Sequence, residues 1–262
     1  MKLPKKELLQ GCKYPLGMED LLNQAEMVIR TWQPIWSAFV PALLREEAIK
    51  IMAPLNHLHW HTDGGLLGAE RQRMQCIRYE AEKPIFDESA PIDGLRIEGN
   101  FLFDRASPKD FRKSLENMGV SSGGLGDIWI NGDRGAQVLC TPEAAVSLDG
   151  KTSRVRDVEI RCEAIQKQEL RLPIQRLSKR LRTVEASKRI DAISSAGFGL
   201  SRAKIANQIR EGLLRLNWEP IKRVNKELRA GDRIQLEGRG RLEIISLELT
   251  KKGRWRVELL RQ

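Results

Sequence analysis

The side chains with the clearest chemical meaning are cationic and lie in the last third of the chain. Lys188, Arg189, Arg202, Lys204, Arg210, Arg215 and Arg239 cluster there, with Ser201 and Trp218 among them. A guanidinium can bridge two phosphate oxygens with a fixed fork, while an ammonium acts as a point charge. Ser201 is placed to open a helix, whose first N–H groups lack intrahelical acceptors and can seat an anion. Trp218 can stack on a base or ribose, or it can cover a small core. Taken singly, each charge reads as a solvated surface group. Taken together, they point to holding a polyanion, not to making or breaking bonds.

The charge distribution supports the same chemistry. The chain has 262 residues and a net charge of +10. Residues 176–262 hold 22 Lys and Arg against 10 Asp and Glu, and the remainder holds 23 against 25. The basic excess is therefore confined to the C-terminal third, as expected for a nucleic-acid partner. An anionic membrane fits less well, because this stretch lacks an aromatic-rich amphipathic helix.

Other candidate chemistries are weaker. His57, His59 and His61 alternate in a strand-like segment and would share one face, a geometry that can bind zinc or nickel. No fourth ligand is evident, so a solvent-facing strand is the expectation and no metal is assigned. Gly64-Gly65 and Gly123-Gly124-Leu125-Gly126 do not continue into the Gly-Lys-Ser/Thr of a P-loop, and the second precedes a strand instead of following one. Ser121-Ser122 has no nucleophile-elbow context. Cys12, Cys76, Cys140 and Cys162 form no CxxC pair and read as reduced thiols acting as small hydrophobes. No cofactor is expected.

The elements that must position these residues follow from periodicity. Leu21, Leu22, Ala25, Val28 and Ile29 share one face of a helix that Pro34 interrupts, and residues 42–52 form a second helix between Pro41 and Pro54. Residues 55–61 and 74–79 alternate as strands that can pair as a hairpin around Asp63-Gly64-Gly65. Glu70 and Arg71 can form an ion pair before the second strand, or contact RNA. Residues 95–99 then read as a strand, and Ser107-Pro108 opens a helix to Met118. Strands at 128–130 and 136–140 follow. Thr141-Pro142 starts a short helix, and residues 155–165 form a last strand. The order β-α-β-β-α-β is that of a ferredoxin-like, RRM-like domain, without the RRM aromatic signature. Residues 170–182 read as a connector. Ser187 to Gly197 reads as a capped helix ended by its glycine, and Ser201 to Glu211 as a second, closed by Gly212. Strands are expected near 213–216, 233–236, 242–245 and 255–259.

Here a resemblance becomes specific. Arg189-Ile190-Asp191, Gly197, Leu200-Ser201-Arg202, Ile209, Gly212, Leu216-Asn217 and Gly231-Asp232-Arg233-Ile234 resemble the S4 RNA-binding domain. Gly64-Gly65, Gly68-Ala69-Glu70-Arg71, Ile97-Glu98-Gly99-Asn100-Phe101-Leu102, Gly126-Asp127-Ile128 and Arg134-Gly135-Ala136-Gln137-Val138 are similar to the YlmH family, in particular its cyanobacterial and chloroplast branch of photosystem II S4 domain proteins. That resemblance implies RNA binding without known catalysis, linked to the large ribosomal subunit and peptidyl-tRNA. Trp218 departs from it, because many S4 domains have Gly after the Asn.

The expectation is an α+β chain of three parts: a helical and hairpin region over 1–88, an RRM-like domain over 89–170 and an S4 domain over 183–262. It is expected to be a cytoplasmic monomer (in the chloroplast stroma if from a plant), with structured rRNA or tRNA as partner and no membrane association. The start of the chain lacks a secretory pattern, and no apolar run is long enough to span a bilayer. The rival readings are an RNA-modifying enzyme with an S4 targeting domain, or an adaptor in photosystem II assembly.

Overall fold

The structure, a computed structural model, describes residues 2–78, 89–173 and 178–262. Tyr79, expected to end a strand, and the expected division between 88 and 89 lie outside or at the edge of these residues. The chain divides into two compact units, Met1–Pro173 and Ile174–Gln262. Both mix helix and sheet, and the fold class is α+β.

The first unit opens with α1 (Lys5–Leu8), α2 (Pro15–Thr31), β1 (Ile35–Trp36) and α3 (Ala42–Met52). α2 buries Met18, Leu21, Leu22, Ala25, Val28 and Ile29, the helical stripe read from the spacing. It ends at Trp32 in the left-handed region (φ 62°), whose N–H donates to Val28 O, before Pro34 is reached. β2 (Leu58–Asp63) and β3 (Arg73–Arg78) form the expected antiparallel hairpin, running from Leu58 opposite Arg78 to Asp63 opposite Arg73. β1 adds to the other edge of β3, a pairing of only two residues that carries no periodicity to read.

The histidine expectation needs correction here. β2 begins at Leu58, so His57 lies outside the strand. His59 and His61 remain, and both are half-buried instead of facing solvent. The His61 ring meets Trp36 edge-on at 5.9 Å. Among the described residues, no group of three ligating side chains forms a metal site.

The middle of the unit contains β4 (Asp93–Glu98), α4 (Pro108–Asn117), β5 (Leu125–Ile130), β6 (Gly135–Cys140), α5 (Pro142–Leu148), β7 (Thr152–Val155) and β8 (Val158–Ile165). The sheet order is β5-β6-β4-β8-β7, the split βαβ arrangement with one added edge strand. Ser107 and Asp110 make a reciprocal capping box on α4, and Thr141 accepts the Ala144 N–H on α5. Residues 155–165 are not one strand. Arg156 takes a left-handed conformation (φ 54°) and its guanidinium pairs with Asp104 at 2.8 Å, so the chain turns and Val155 sits opposite Val158. Leu95, Ile97, Phe111, Leu115, Val138 and Leu148 form the core between sheet and helices.

The sheet's opposite face is also covered. Leu139 and Ile165 from the sheet pack with Phe39, Ile92 and Leu170, flanked by Leu66 and Trp129. Buried Gln137 accepts the Arg171 N–H at 2.8 Å, and the Trp129 indole N–H donates to Arg171 O at 3.0 Å. The N-terminal segment is fastened alongside. The Asp127 carboxylate accepts the N–H groups of Glu70 at 2.8 Å and Arg71 at 2.9 Å. The Arg71 guanidinium donates to Leu125 O, Ser122 O and Phe39 O at 2.9, 2.8 and 3.2 Å. Arg73, which is buried, donates to Ser37 O and Pro91 O. Arg71 is thus committed to backbone carbonyls inside the unit, a structural role like that of the expected ion pair with Glu70 but made through other partners.

The second unit comprises β9 (Lys179–Glu185), α6 (Ile190–Phe198), α7 (Arg202–Arg210), β10 (Leu214–Leu216), β11 (Glu219–Pro220), β12 (Arg233–Leu236), β13 (Gly240–Leu249) and β14 (Trp255–Arg261). They make a six-stranded sheet of order β11-β10-β12-β13-β14-β9. β9 corrects the expected connector. It pairs with β14 from Lys179 opposite Arg261 to Glu185 opposite Trp255. Its half-buried face offers Leu181, Thr183 and Glu185, so the alternation carries a single aliphatic residue and is masked by charge.

α6 is also displaced from expectation. Its N-cap is Arg189, not Ser187, and no side chain caps it. It runs through Gly197 and ends at Gly199 (φ 67°). Gly197 is a packing residue: a Cβ there would lie 2.3 Å from Leu242 Cδ1. Gly197→Ala should therefore cost about 1–3 kcal/mol through forced displacement of a buried leucine. A thermal melt of the full chain checks this, and an unchanged midpoint would show that Leu242 has room to move.

Candidate nucleic-acid interface

The candidate residues are best placed starting from α7. Ile205 and Ile209 are fully buried and join Ile190, Ile193, Phe198, Leu214, Ile234 and Leu236 in the core of the second unit. That anchoring leaves Arg202, Ala203, Lys204, Asn207 and Arg210 exposed along the other side of the helix. Ser201 is the N-cap, and its hydroxyl accepts the Lys204 N–H at 3.2 Å. Arg210 donates to Asn207 Oδ1 at 2.6 Å, which orients its guanidinium along the helix. Ser201, Arg202, Lys204 and Arg210 are thus brought together on one element, as expected.

Lys188 and Arg189 lie just before α6 and are partly spent on the unit itself. Arg189 donates from Nε and one terminal nitrogen to the two oxygens of Asp191, both at 3.0 Å, and Asp191 is buried. The fork is held in place by its own carboxylate. The Lys188 ammonium is 3.1 Å from Glu227 and 5.2 Å from the centre of the Trp255 ring. Main-chain bonds from Leu228 N–H to Lys188 O and from Ile190 N–H to Lys226 O brace the same turn.

The remaining candidates do not join α7. In β10, Leu214 and Leu216 pack on the core, so Arg215 projects from the opposite face of the sheet. Register places Arg215 beside Gln235 and Gln235 beside Arg241 on that outward face. Arg239 is exposed in the turn between β12 and β13. Trp218 is half-buried at the tip joining β10 to β11.

The outward face was not foreseen. Arg180, Arg182 and Arg256 also point outward from β9 and β14, with Glu258 3.3 Å from Arg182. Arg241 is held below the usual guanidinium range by burial and by the nearby Arg233. The available signal was Arg alternating with Ile or Leu at 233–234 and 241–242.

Electrostatics elsewhere argue against thiol chemistry. Burial pushes the Cys76 and Cys140 thiols up to about 12 and Cys162 to about 11. They stay protonated at neutral pH and pack as hydrophobes. Among the described residues, no helix is long and apolar enough to cross a membrane.

Comparison with known proteins gives two regional matches. Residues 188–234 match the S4 domain, and residues 17–81 match the family described as YlmH, N-terminal. The chain is 26% identical over 150 residues to a Bacillus subtilis (strain 168) protein named ribosome-associated protein quality control protein P2. That alignment spans 57% of this chain and 58% of the relative's length. Among solved structures, cell division protein ylmH from Streptococcus pneumoniae covers 64% of this chain and 95% of its own, with 15% identity and a TM-score of 0.45.

Proposed function

From a chain that joins a YlmH N-terminal region to a C-terminal S4 domain, we propose a non-catalytic RNA-binding protein that grips structured RNA with its second unit. The observation that carries this reading is the exposed basic side of α7, where Arg202, Lys204 and Arg210 flank a serine-capped helix start. A helix N-terminus supplies N–H donors to one phosphate while the adjacent cations neutralise its neighbours. Arg189, fixed by Asp191, and Lys188 extend the positive surface from the preceding turn. The partner is rRNA or tRNA in the context of the large ribosomal subunit, a reading favoured by the ribosome-associated name of the Bacillus subtilis relative.

The covered sheet of the first unit fits this assignment. RRM domains stack bases on their exposed sheet, whereas here Phe39, Leu139, Ile165 and Leu170 occupy much of the corresponding face. RNA contact is therefore assigned to the S4 unit, and the first unit acts as a scaffold.

The test is a filter-binding measurement with rRNA and tRNA. The double change Arg202→Ala with Lys204→Ala should weaken binding about 10–30-fold, because two phosphate contacts are lost, with an unchanged circular dichroism spectrum. Wild-type affinity in the well-folded double variant would remove α7 from the interface.

A further inference from the structure

The sheet of the second unit has two faces of different character. One is covered, because α6 and α7 share a buried core with Ile234, Leu236, Leu242, Ile244, Val257 and Leu259. The other carries charge. Leu181 of β9 and Val257 and Leu259 of β14 turn toward the core, so alternation sends Arg180, Arg182 and Arg256 the opposite way. Register sets Arg182 opposite Glu258 and Val184 opposite Arg256, which makes Arg182 and Arg256 diagonal neighbours. Arg180 and Arg182, two positions apart on one strand face, are separated by about 7 Å along the chain.

Their ion pairs lie in solvent. The three side chains are 72%, 78% and 64% exposed. Arg180 and Arg182 share one oxygen of Glu258, at 4.0 and 3.3 Å, and Arg256 lies 3.8 Å from Glu248. Two guanidiniums on one carboxylate leave a positive charge over. Exposed pairs of this kind contribute under about 1 kcal/mol, so a phosphate can replace the carboxylate at little cost. Arg215, Arg233 and Arg241, each engaged within the protein, add charge to the same face. Among the described strand residues of this face, six arginines thus stand against Glu243, Glu248 and Glu258. Charge on an edge strand also deters pairing with other sheets, which would account for β9. Arg256 lies on β14, between β9 and β13, where no edge needs protecting.

We propose that this outward face is a second RNA-binding surface, so that the unit holds two RNA segments at once, one on α7 and one across β9 and β14. The proposal rests on the RNA-binding reading above and adds a second contact to it. A polyanion fits this face better than a protein partner does. Guanidiniums and carboxylates fill it, where a protein interface would present an apolar centre depleted of charge. The sheet lies between the two cationic surfaces, and a short stem-loop on one does not reach the other.

The experiment titrates a short RNA stem-loop into the full chain at low salt by isothermal calorimetry, which gives stoichiometry and affinity together. The wild type should take two stem-loops per chain. Arg180→Gln with Arg182→Gln and Arg256→Gln should weaken one of them at least about tenfold and leave the other within about twofold. Arg202→Ala with Lys204→Ala should do the reverse. The melting midpoint of the triple variant should stay within about 4 °C of wild type, because only exposed ion pairs are lost. A larger fall would make these arginines structural and overturn the proposal. One stem-loop per wild-type chain would overturn it too, while leaving the RNA-binding reading intact, and so would two undiminished sites in the triple variant. Poly-glutamate that binds the wild type but not the triple variant, on a chain holding a single stem-loop, would assign the face to an acidic protein instead. If the wild type binds no RNA, the RNA-binding reading itself falls, and this inference with it.

Discussion

Arg71→Ala should destabilise the first unit by about 3 kcal/mol, lowering its melting midpoint by roughly 6–12 °C. Three carbonyls, of Phe39, Ser122 and Leu125, accept from this one guanidinium. Truncation leaves those acceptors in a largely buried place without donors, each at about 1 kcal/mol, and opens a void besides. Burial and the neighbouring Arg112 pull the Arg71 guanidinium down to about 10, so the charge is held there against a desolvation cost that the carbonyls offset. Asp127→Asn should act in the same direction, because its two oxygens accept the Glu70 and Arg71 N–H groups and an amide can present only one acceptor. Circular dichroism melts of the full chain measure both. RNA affinity of the folded variants at low temperature should stay close to wild type, since neither residue lies in the second unit. A fully stable Arg71→Ala variant would mean that the N-terminal segment is fastened by other contacts.

The parts of the fold that were legible in the sequence are those with local chemical signals. Ser107-Pro108 and Thr141-Pro142 announced two helices through cap and proline, and alternation announced the strands around them. The βαββαβ order followed. The Ser201 cap and the buried pair Ile205 and Ile209 likewise placed α7 and oriented its basic side. What stayed hidden depended on tertiary partners. β9 is recognised only by its pairing with β14, because Lys, Arg, Thr and Glu fill most of its positions. The role of Gly197 depends on Leu242, which lies in a distant strand. Arg71 read as a charge beside Glu70, and nothing local foretold three carbonyl acceptors from separate segments. The candidate interface showed the same division. The cations on α7 were legible because helical spacing sorts them from the buried isoleucines. Arg215 belongs to the same basic run, but strand alternation sends it to the opposite face of the sheet, where Arg241 also lies.

If the second unit grips RNA through its phosphates, as proposed, the largest expected effect is on salt dependence. Residues 176–262 carry a net +12. If about four of these cations meet phosphates, affinity should fall about a hundredfold between 50 and 200 mM monovalent salt, with a log–log slope near −3 to −4. Arg202→Ala with Lys204→Ala should flatten that slope by about two, one for each phosphate contact removed. A binding isotherm of the full chain with large-subunit rRNA, repeated across a salt series for wild type and double variant, measures both quantities at once. The expected result is a steep wild-type slope that becomes shallower in the variant. A flat wild-type profile, or no binding at the lowest salt, would contradict it.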